Sequence, residues 1–511
     1  MRKPLDENST SGSTAAPRHR MNIRKKLFAS SLWSVATKLT SVLSNFVAFS
    51  ILARLLQPAE FGIVAFAAVF MELARGLMTA GIPEALIQRE QWDDTTASTA
   101  FWATLAASTI IALGLSVTGA LIILAESPVL GAVFIALAVG LIIDGARAIH
   151  EAKLRREFGY KALALRTLSA NFSAGVAGIA LALQGFGVWA LVANHLVSAT
   201  LNTYVIWRSV VWRPRFVFSK NELQHLLRFG GALLTARAFG EITKRIPELA
   251  VGFVLGPTAL AIYRVGFRGL QFLIAITIWP LQTTALSALS RLPKAAVGEA
   301  YLRLTSATAL VSFPTFLGAA TVAPDFVAVC FGEKWASSAA VMTALALMVA
   351  PATLTYFVAP ALTAVGKTRL IVVSNFAHFV SNALVILITV PFGVVAVAAG
   401  LTFRAHLTSP IALLMLREGI GLSMKRTATA VLGPGIAAGL MALGVIGVRI
   451  FVLDDVVPLV RLLISVALGS VLYVALLLTL APRYTSQILE EFVPVLPPKL
   501  RKIISPLMKR L

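Results

Sequence analysis

An all-α integral membrane protein of about fourteen transmembrane helices is the fold class this sequence predicts, from its composition, its apolar runs and the placement of its charges. Of 511 residues, 58% are hydrophobic and only 13% charged, with a mean hydropathy of +0.83. Soluble domains are roughly 45–50% apolar and 25% charged, so a soluble globular class is excluded. The single cysteine, Cys330, excludes a disulfide framework and a cysteine-based metal site.

A helix needs about 20 mainly apolar residues to cross the hydrocarbon core. Such segments fall near 29–52, 61–81, 97–124, 129–149, 164–184, 187–207 and 229–254, then near 259–286, 304–324, 337–358, 369–390, 393–416, 428–450 and 458–480. The apolar run after Lys26 is too long for a cleaved signal peptide, whose core is about 7–15 residues, and reads as the first span.

Lys and Arg confirm the alternation of the loops. With the amino terminus inside, the outside loops hold only Arg54, Lys334, Arg449 and Arg461, while the basic clusters fall on cytoplasmic segments. Both termini are therefore expected in the cytoplasm of a bacterial inner-membrane protein. The formal charge of +22 is then a topology signal and an attraction to anionic membrane lipid, and nucleic acid is not an expected partner.

The predicted organisation is a disordered cytoplasmic tail over 1–26, a six-helix block over 27–208, a second over 209–417, two further helices within 418–482, and a cytoplasmic tail over 483–511. A weak internal repeat supports two parallel blocks. At an offset of 199 residues, Leu56-Gln57-Pro58-Ala59-Glu60-Phe61-Gly62-Ile63 lies over Leu255-Gly256-Pro257-Thr258-Ala259-Leu260-Ala261-Ile262, and Lys38 over Arg237.

Ionisable residues inside spans are costly and usually face a bundle interior or an aqueous cavity. In the seventh span Arg237, Glu241, Lys244, Arg245 and Glu248 recur at three- and four-residue spacing and share one helical face. The eighth adds Arg264 and Arg268, with Gln271 one turn on; the first has Lys38 and Asn45, the second Glu72 and Arg75. Seven cations against three anions leave an excess of +4 in these four spans, suited to an anionic ligand and to phosphate above all. The candidate ligand-binding residues are Arg237, Arg245, Arg264, Arg268, Lys244, Lys38 and Arg75, and the candidate coupling-ion carboxylates are Glu72, Glu241 and Glu248. Set against this, the i, i+4 pairs Arg237 with Glu241, Glu241 with Arg245, and Lys244 with Glu248 can simply neutralise one another. Asn171, Asn194, His195, Asn375, His378 and Asn382 read first as interhelical glue, and Pro247, Pro314, Pro351, Pro360 and Pro410 as helix bends. No phosphate-loop motif occurs, and no outside loop is long enough for a catalytic domain.

The run Ile51-Leu52-Ala53-Arg54-Leu55-Leu56 with Phe61-Gly62, then Ala85-Leu86-Ile87-Gln88-Arg89, resembles the opening of polysaccharide transporters of the multidrug/oligosaccharidyl-lipid/polysaccharide exporter superfamily. Arg155-Arg156-Glu157-Phe158, Leu227-Arg228-Phe229-Gly230 and Phe331-Gly332-Glu333-Lys334-Trp335 are similar to signatures of its lipopolysaccharide-exporter-like flippases. The resemblance covers roughly residues 25 to 420. It implies two six-helix lobes in a V that opens alternately to each side. It also implies undecaprenyl-pyrophosphate-linked oligosaccharide as substrate, with a polysaccharide polymerase and export machinery as partners downstream. No cofactor is implied, the driving force being an ion gradient or the membrane potential. The last two spans would lie outside the lobes and guide the lipid tail. A multidrug exporter of the same superfamily would favour an acidic cavity, and a membrane-embedded polymerase or acyltransferase would need a long periplasmic loop or a base in the membrane.

Overall fold

The computed structural model describes residues 40–89, 92–157, 160–279, 285, 286 and 288–482. Lys38 lies outside these residues, as does the side chain of Arg237. The first half contributes α1 (Thr40–Leu55), α2 (Pro58–Ala80), α3 (Ile82–Gln88), α4 (Asp94–Leu124), α5 (Pro128–Arg156), α6 (Tyr160–Leu183) and α7 (Val188–Ser209). The second contributes α8 (Lys220–Ala250), α9 (Pro257–Thr277), α10 (Val297–Phe331), α11 (Ser337–Ala346), α12 (Val349–Thr355), α13 (Val358–Ala364), α14 (Thr368–Thr389) and α15 (Val394–Ile420). A last pair, α16 (Met424–Phe451) and α17 (Pro458–Leu480), completes the described chain, and no strand occurs among the described residues.

Where they are described, the predicted apolar segments fall on helix, and the molecule is a multi-pass membrane protein; residues 29–39 and 280–284 of two of them lie outside the described residues. Among the described residues, eight helical stretches are long and apolar enough to cross a bilayer by themselves. The others depart from the expected uniform spans for local reasons. The segment near 337–358 is broken, α11 meeting α12–α13 at 46° where Pro351 interrupts the backbone ladder, while Pro360 interrupts it between α12 and α13. The segment near 229–254 begins earlier, at Lys220, and ends in the π-helical turn Val251–Leu255 one turn after Pro247. The short α3 forms inside a stretch expected to be loop.

Within the first half α4 packs on α5, α6 on α7, and α5 on both α2 and α7. In the second half α11 packs on α9, α10 and α15, while α14 packs on α15 and α8. Helix α2 joins the halves by packing on both α8 and α9. The repeated octapeptides meet at this seam. Pro58 and Pro257 each open their helix at the first position, where a missing N–H costs nothing. A Cβ at Gly62 would overlap the Pro257 carbonyl, so glycine lets the two helices touch through backbone.

Prolines inside helices leave a carbonyl four residues back without its donor, and at three of them a hydroxyl of another helix supplies one. Pro314 frees the Leu310 carbonyl, which accepts the Tyr473 hydroxyl of α17 at 2.9 Å. Pro324 frees Ala320, which accepts Thr343 Oγ1 of α11 at 3.2 Å. Pro434 in α16 frees Ala430, which accepts Ser306 Oγ of α10 at 3.2 Å. The final helix pair thus docks along α10, where Arg449 and Arg461 also grip the buried Asp325 carboxylate at 2.6 and 2.8 Å.

Candidate functional site between the two halves

A cavity of about 300 Å³ lies where α1, α2 and α7 of the first half face α8 and α9 of the second. Five of the predicted residues line it: Glu72, Arg245, Glu248, Arg264 and Arg268. They sit there because the polar face of α8 and the Arg264/Arg268 face of α9 both turn away from lipid, toward α2.

Their pairing differs from the expected i, i+4 ladder. Arg245 pairs with Glu248 three residues on at 3.2 Å, and Lys244 with Glu241 at 2.8 Å. The stronger partners come from other helices. Arg245 meets Glu72 at 2.6 Å, and Arg264 meets Glu248 at 2.6 Å and Glu72 at 3.2 Å. Side-chain rotamers and a neighbouring helix decided these pairs, neither of which spacing along one helix reports. Glu72 therefore ties α2 to α8 and α9 at once. Its side chain is 30% exposed, whereas that of Glu248 is 6% exposed.

Arg268 stands apart. Its guanidinium lies over the Phe49 ring of α1, 5.2 Å from the centroid, and it meets no carboxylate among the described residues. A cation–π contact leaves the edge donors of the guanidinium available to an oxyanion. Three arginines against two carboxylates leave one formal positive charge on the lining, a smaller excess than the +4 expected. Lys38 and the side chain of Arg237, outside the described residues, account for two of the three charges of difference, and Lys244, Arg75 and Glu241, which do not line this cavity, for the third. Lys244 projects outward, its partner Glu241 lies against Gly76 of α2, and Arg75 pairs with Asp144 of α5 at 2.6 Å.

The lining also holds residues first read as glue. Asn194 and His195 of α7 face the cavity with Ser198, and Asn171 of α6 lines it while donating to Ser41 Oγ at 3.2 Å. Their signal was the 194, 195, 198 spacing, a polar stripe on an otherwise apolar span.

One end of the cavity is closed by reciprocal capping of two helix C-termini, whose last carbonyls have no partner within the helix. Trp335 Nε1 donates to the Ala53 carbonyl at 2.9 Å and Lys334 Nζ to the Arg54 carbonyl at 2.8 Å, both in the last turn of α1. In return the Arg54 guanidinium donates to the Val329 and Ala328 carbonyls in the last turn of α10. Gly332, at φ 98, turns the chain back after α10 so that Lys334 and Trp335 can reach. Phe331 packs edge-on against Phe46 and Phe49, and Phe61 against Trp335. At the opposite end Arg89 meets Glu222 of α8 at 2.5 Å, and Gly230 of α8 lies against the Gly81 backbone so closely that a Cβ would crowd it.

A polytopic helical membrane protein with a charged cavity between two joined halves is the class these features define. Residues 51–340 match the family described as Polysaccharide biosynthesis protein. That is more than half of the chain, and the chain belongs to this family. The chain is 27% identical over 321 residues to the succinoglycan biosynthesis transport protein ExoT of Rhizobium meliloti, a match covering 62% of this chain and 64% of that one. It is 22% identical over 340 residues to the lipopolysaccharide biosynthesis protein WzxC of Escherichia coli, covering 64% of this chain and 68% of that one. The chain thus spans just under two-thirds of ExoT. Among solved structures, the lipid II flippase MurJ in an inward closed conformation is similar with a TM-score of 0.72 at 13% identity, over 91% of this chain and 99% of that one. An inward-facing multidrug resistance MATE family transporter gives 0.50 at 19% identity, over 77% of this chain and 96% of that one. At these identities the two likenesses describe fold.

Proposed function

We propose that this protein is a flippase that carries an undecaprenyl-pyrophosphate-linked oligosaccharide across the bacterial inner membrane for exopolysaccharide or lipopolysaccharide synthesis. It acts as a carrier rather than an enzyme, by alternating access of two six-helix lobes without ATP hydrolysis, and passes its cargo to a polymerase and export machinery. Fourteen spans, with both termini cytoplasmic, put the Trp335 closure on the periplasmic side.

The observation that carries this reading is Arg268, a guanidinium without a carboxylate partner among the described residues, in the same cavity as Arg245 and Arg264. A pyrophosphate enters against Arg268 first. It then competes with the more exposed Glu72 for Arg245 and Arg264, while the buried Glu248 stays as their fixed counterion. Releasing Glu72 unties α2 from α8 and α9, which couples cargo binding to movement of the halves and frees a carboxylate for a proton or sodium ion. Exporters of cationic drugs would need the opposite balance of charge.

The test is complementation of a deletion strain, with lipid-linked intermediates identified by mass spectrometry and assigned to a leaflet. Arg268→Ala should accumulate the intermediate in the inner leaflet at normal protein abundance. Loss of charge-assisted hydrogen bonds worth roughly 1.5–3 kcal/mol predicts binding weakened about 10- to 150-fold. Arg268→Lys should rescue in part, since it keeps the charge and loses the fork. Normal export by Arg268→Ala at normal abundance would falsify the proposal. Reporter fusions after residues 126, 256 and 334 should read periplasmic and those after 157, 218 and 420 cytoplasmic.

A further inference from the structure

The two halves are joined covalently by residues 210–219, an extended strap between α7 and α8. It carries the two most exposed large apolar side chains in the described protein, Val211 at 96% and Phe216 at 92%. Exposed apolar residues on a mobile loop would mean little, but this strap is held rigidly. Val210 and Trp212 are buried against the α4–α5 core, and Phe216 stacks on Trp102 with ring centroids 5.1 Å apart.

Five of its backbone groups are bonded by side chains. Trp102 Nε1 donates to the Arg215 carbonyl at 2.8 Å, and the Arg215 and Ser219 N–H groups donate to Ser98 Oγ at 3.1 Å and Thr99 Oγ1 at 3.0 Å. The Arg213 guanidinium reaches the carbonyls of Val210, Trp212 and Trp207 at 2.5, 2.8 and 2.9 Å. These bonds hold the strap against α4 with Val211 and Phe216 turned outward.

Depth and charge point the same way. Helix α4 has 31 residues, about 46 Å at 1.5 Å per residue, against a hydrocarbon core of about 30 Å. Its length exceeds that core, so its amino-terminal turns, which hold the strap through Ser98, Thr99 and Trp102, fit the headgroup region. Around the apolar residues lie the exposed cations Arg208, Arg213, Arg215 and Lys220. Of these only Arg215 meets a carboxylate among the described residues, Asp94 at 3.4 Å.

We infer that the strap is a recognition surface for anionic phospholipid in the leaflet at the α7/α8 end, with Val211 and Phe216 in the acyl boundary and Arg208 and Lys220 on the headgroups. This surface is separate from the cavity and holds whether or not the cavity binds pyrophosphate. It fixes the connection between the halves to one leaflet.

The test uses the full chain with Cys330→Ser and a single fluorescent label at Phe216→Cys or, in a second protein, at Val211→Cys, in phosphatidylcholine vesicles carrying headgroup-labelled quencher lipid. Val211 has no ring partner, so its label reads the strap without disturbing the Trp102 stack. Quencher phosphatidylglycerol should reduce the emission at both sites more than quencher phosphatidylcholine. The preference should fall about fivefold with each of Arg208→Gln and Lys220→Gln. Equal quenching by the two lipids would overturn the inference, leaving only an apolar anchor. So would the absence of quenching by either, the outcome for a strap that faces a cytoplasmic protein.

Discussion

The closed end of the cavity and its centre join the same two halves by different chemistry. At the end, Trp335 and Lys334 cap α1 while Arg54 caps α10, and the acceptors are all backbone carbonyls. At the centre, the ion pairs between halves run from the Arg245 and Arg264 guanidinium groups to the Glu72 carboxylate. A carbonyl at a helix terminus is fixed in the backbone and cannot swing away. A carboxylate on a side chain can be exchanged for another anion. The closure is therefore a geometric junction that must break as a unit, and the centre is a junction that cargo can undo.

Substitutions at the two junctions should separate stability from transport. Trp335→Ala removes a fully buried indole and uncaps Ala53, and should cost about 3–5 kcal/mol, seen as a lower melting temperature in detergent and reduced membrane abundance. Arg268→Ala should leave both unchanged while abolishing export. If both variants lose export at normal abundance and unchanged melting temperature, the junctions do not differ as described.

Within the centre, Glu248 and Glu72 should also part. Glu248→Gln leaves Arg245 and Arg264 short of a buried counterion and should cost about 3–5 kcal/mol. Glu72→Gln, at the more exposed partner, should cost clearly less and should tighten binding of farnesyl pyrophosphate to purified protein. Equal melting shifts, with no change in that affinity, would show that neither carboxylate is the exchangeable one.

The smallest effect belongs to the far end. The Glu222 carboxyl is held below its ordinary value by the hydrogen bond from Arg89, then by that from Thr96. A lowered folded value means that its contribution is present above the ordinary carboxylate range and is lost as pH falls through the folded value. Melting temperature followed down through that window should drop slightly further in the parent than in Glu222→Gln.

The charged faces of α8 and α9 were plain in the sequence, because charge recurring at three- and four-residue spacing in an apolar span is too costly to turn toward lipid. That Arg264 reaches Glu72 was not, since those residues are 192 positions apart and meet only through helix packing. Lys244 and Arg75 looked equivalent to the cavity residues for the same reason. Spacing assigns a residue to a face, but which neighbour covers that face is a property of the fold. Phe331 to Trp335 stood out as a motif, yet its role as a cap for α1 depends on Gly332 and on a helix end from the other half. The long apolar helices were legible because bilayer thickness sets their length, and the bend after α11 was legible at Pro351, but its 46° angle was not, because packing sets how far a proline bends a span.

Prolines and hydroxyls in this molecule form a matched vocabulary. Each of Pro314, Pro324 and Pro434 advertises one bare acceptor at a defined height along its helix, and Tyr473, Thr343 and Ser306 answer it. A helix lacking the right hydroxyl at the right height would leave a carbonyl facing hydrocarbon, so the marks act as an address that rejects the wrong neighbour. The rule extends to history as well as folding. The α16–α17 hairpin could not be discarded, or exchanged for another greasy pair, without also rewriting Pro314 and Ser306 on α10. Residues on opposite sides of that joint must therefore change together.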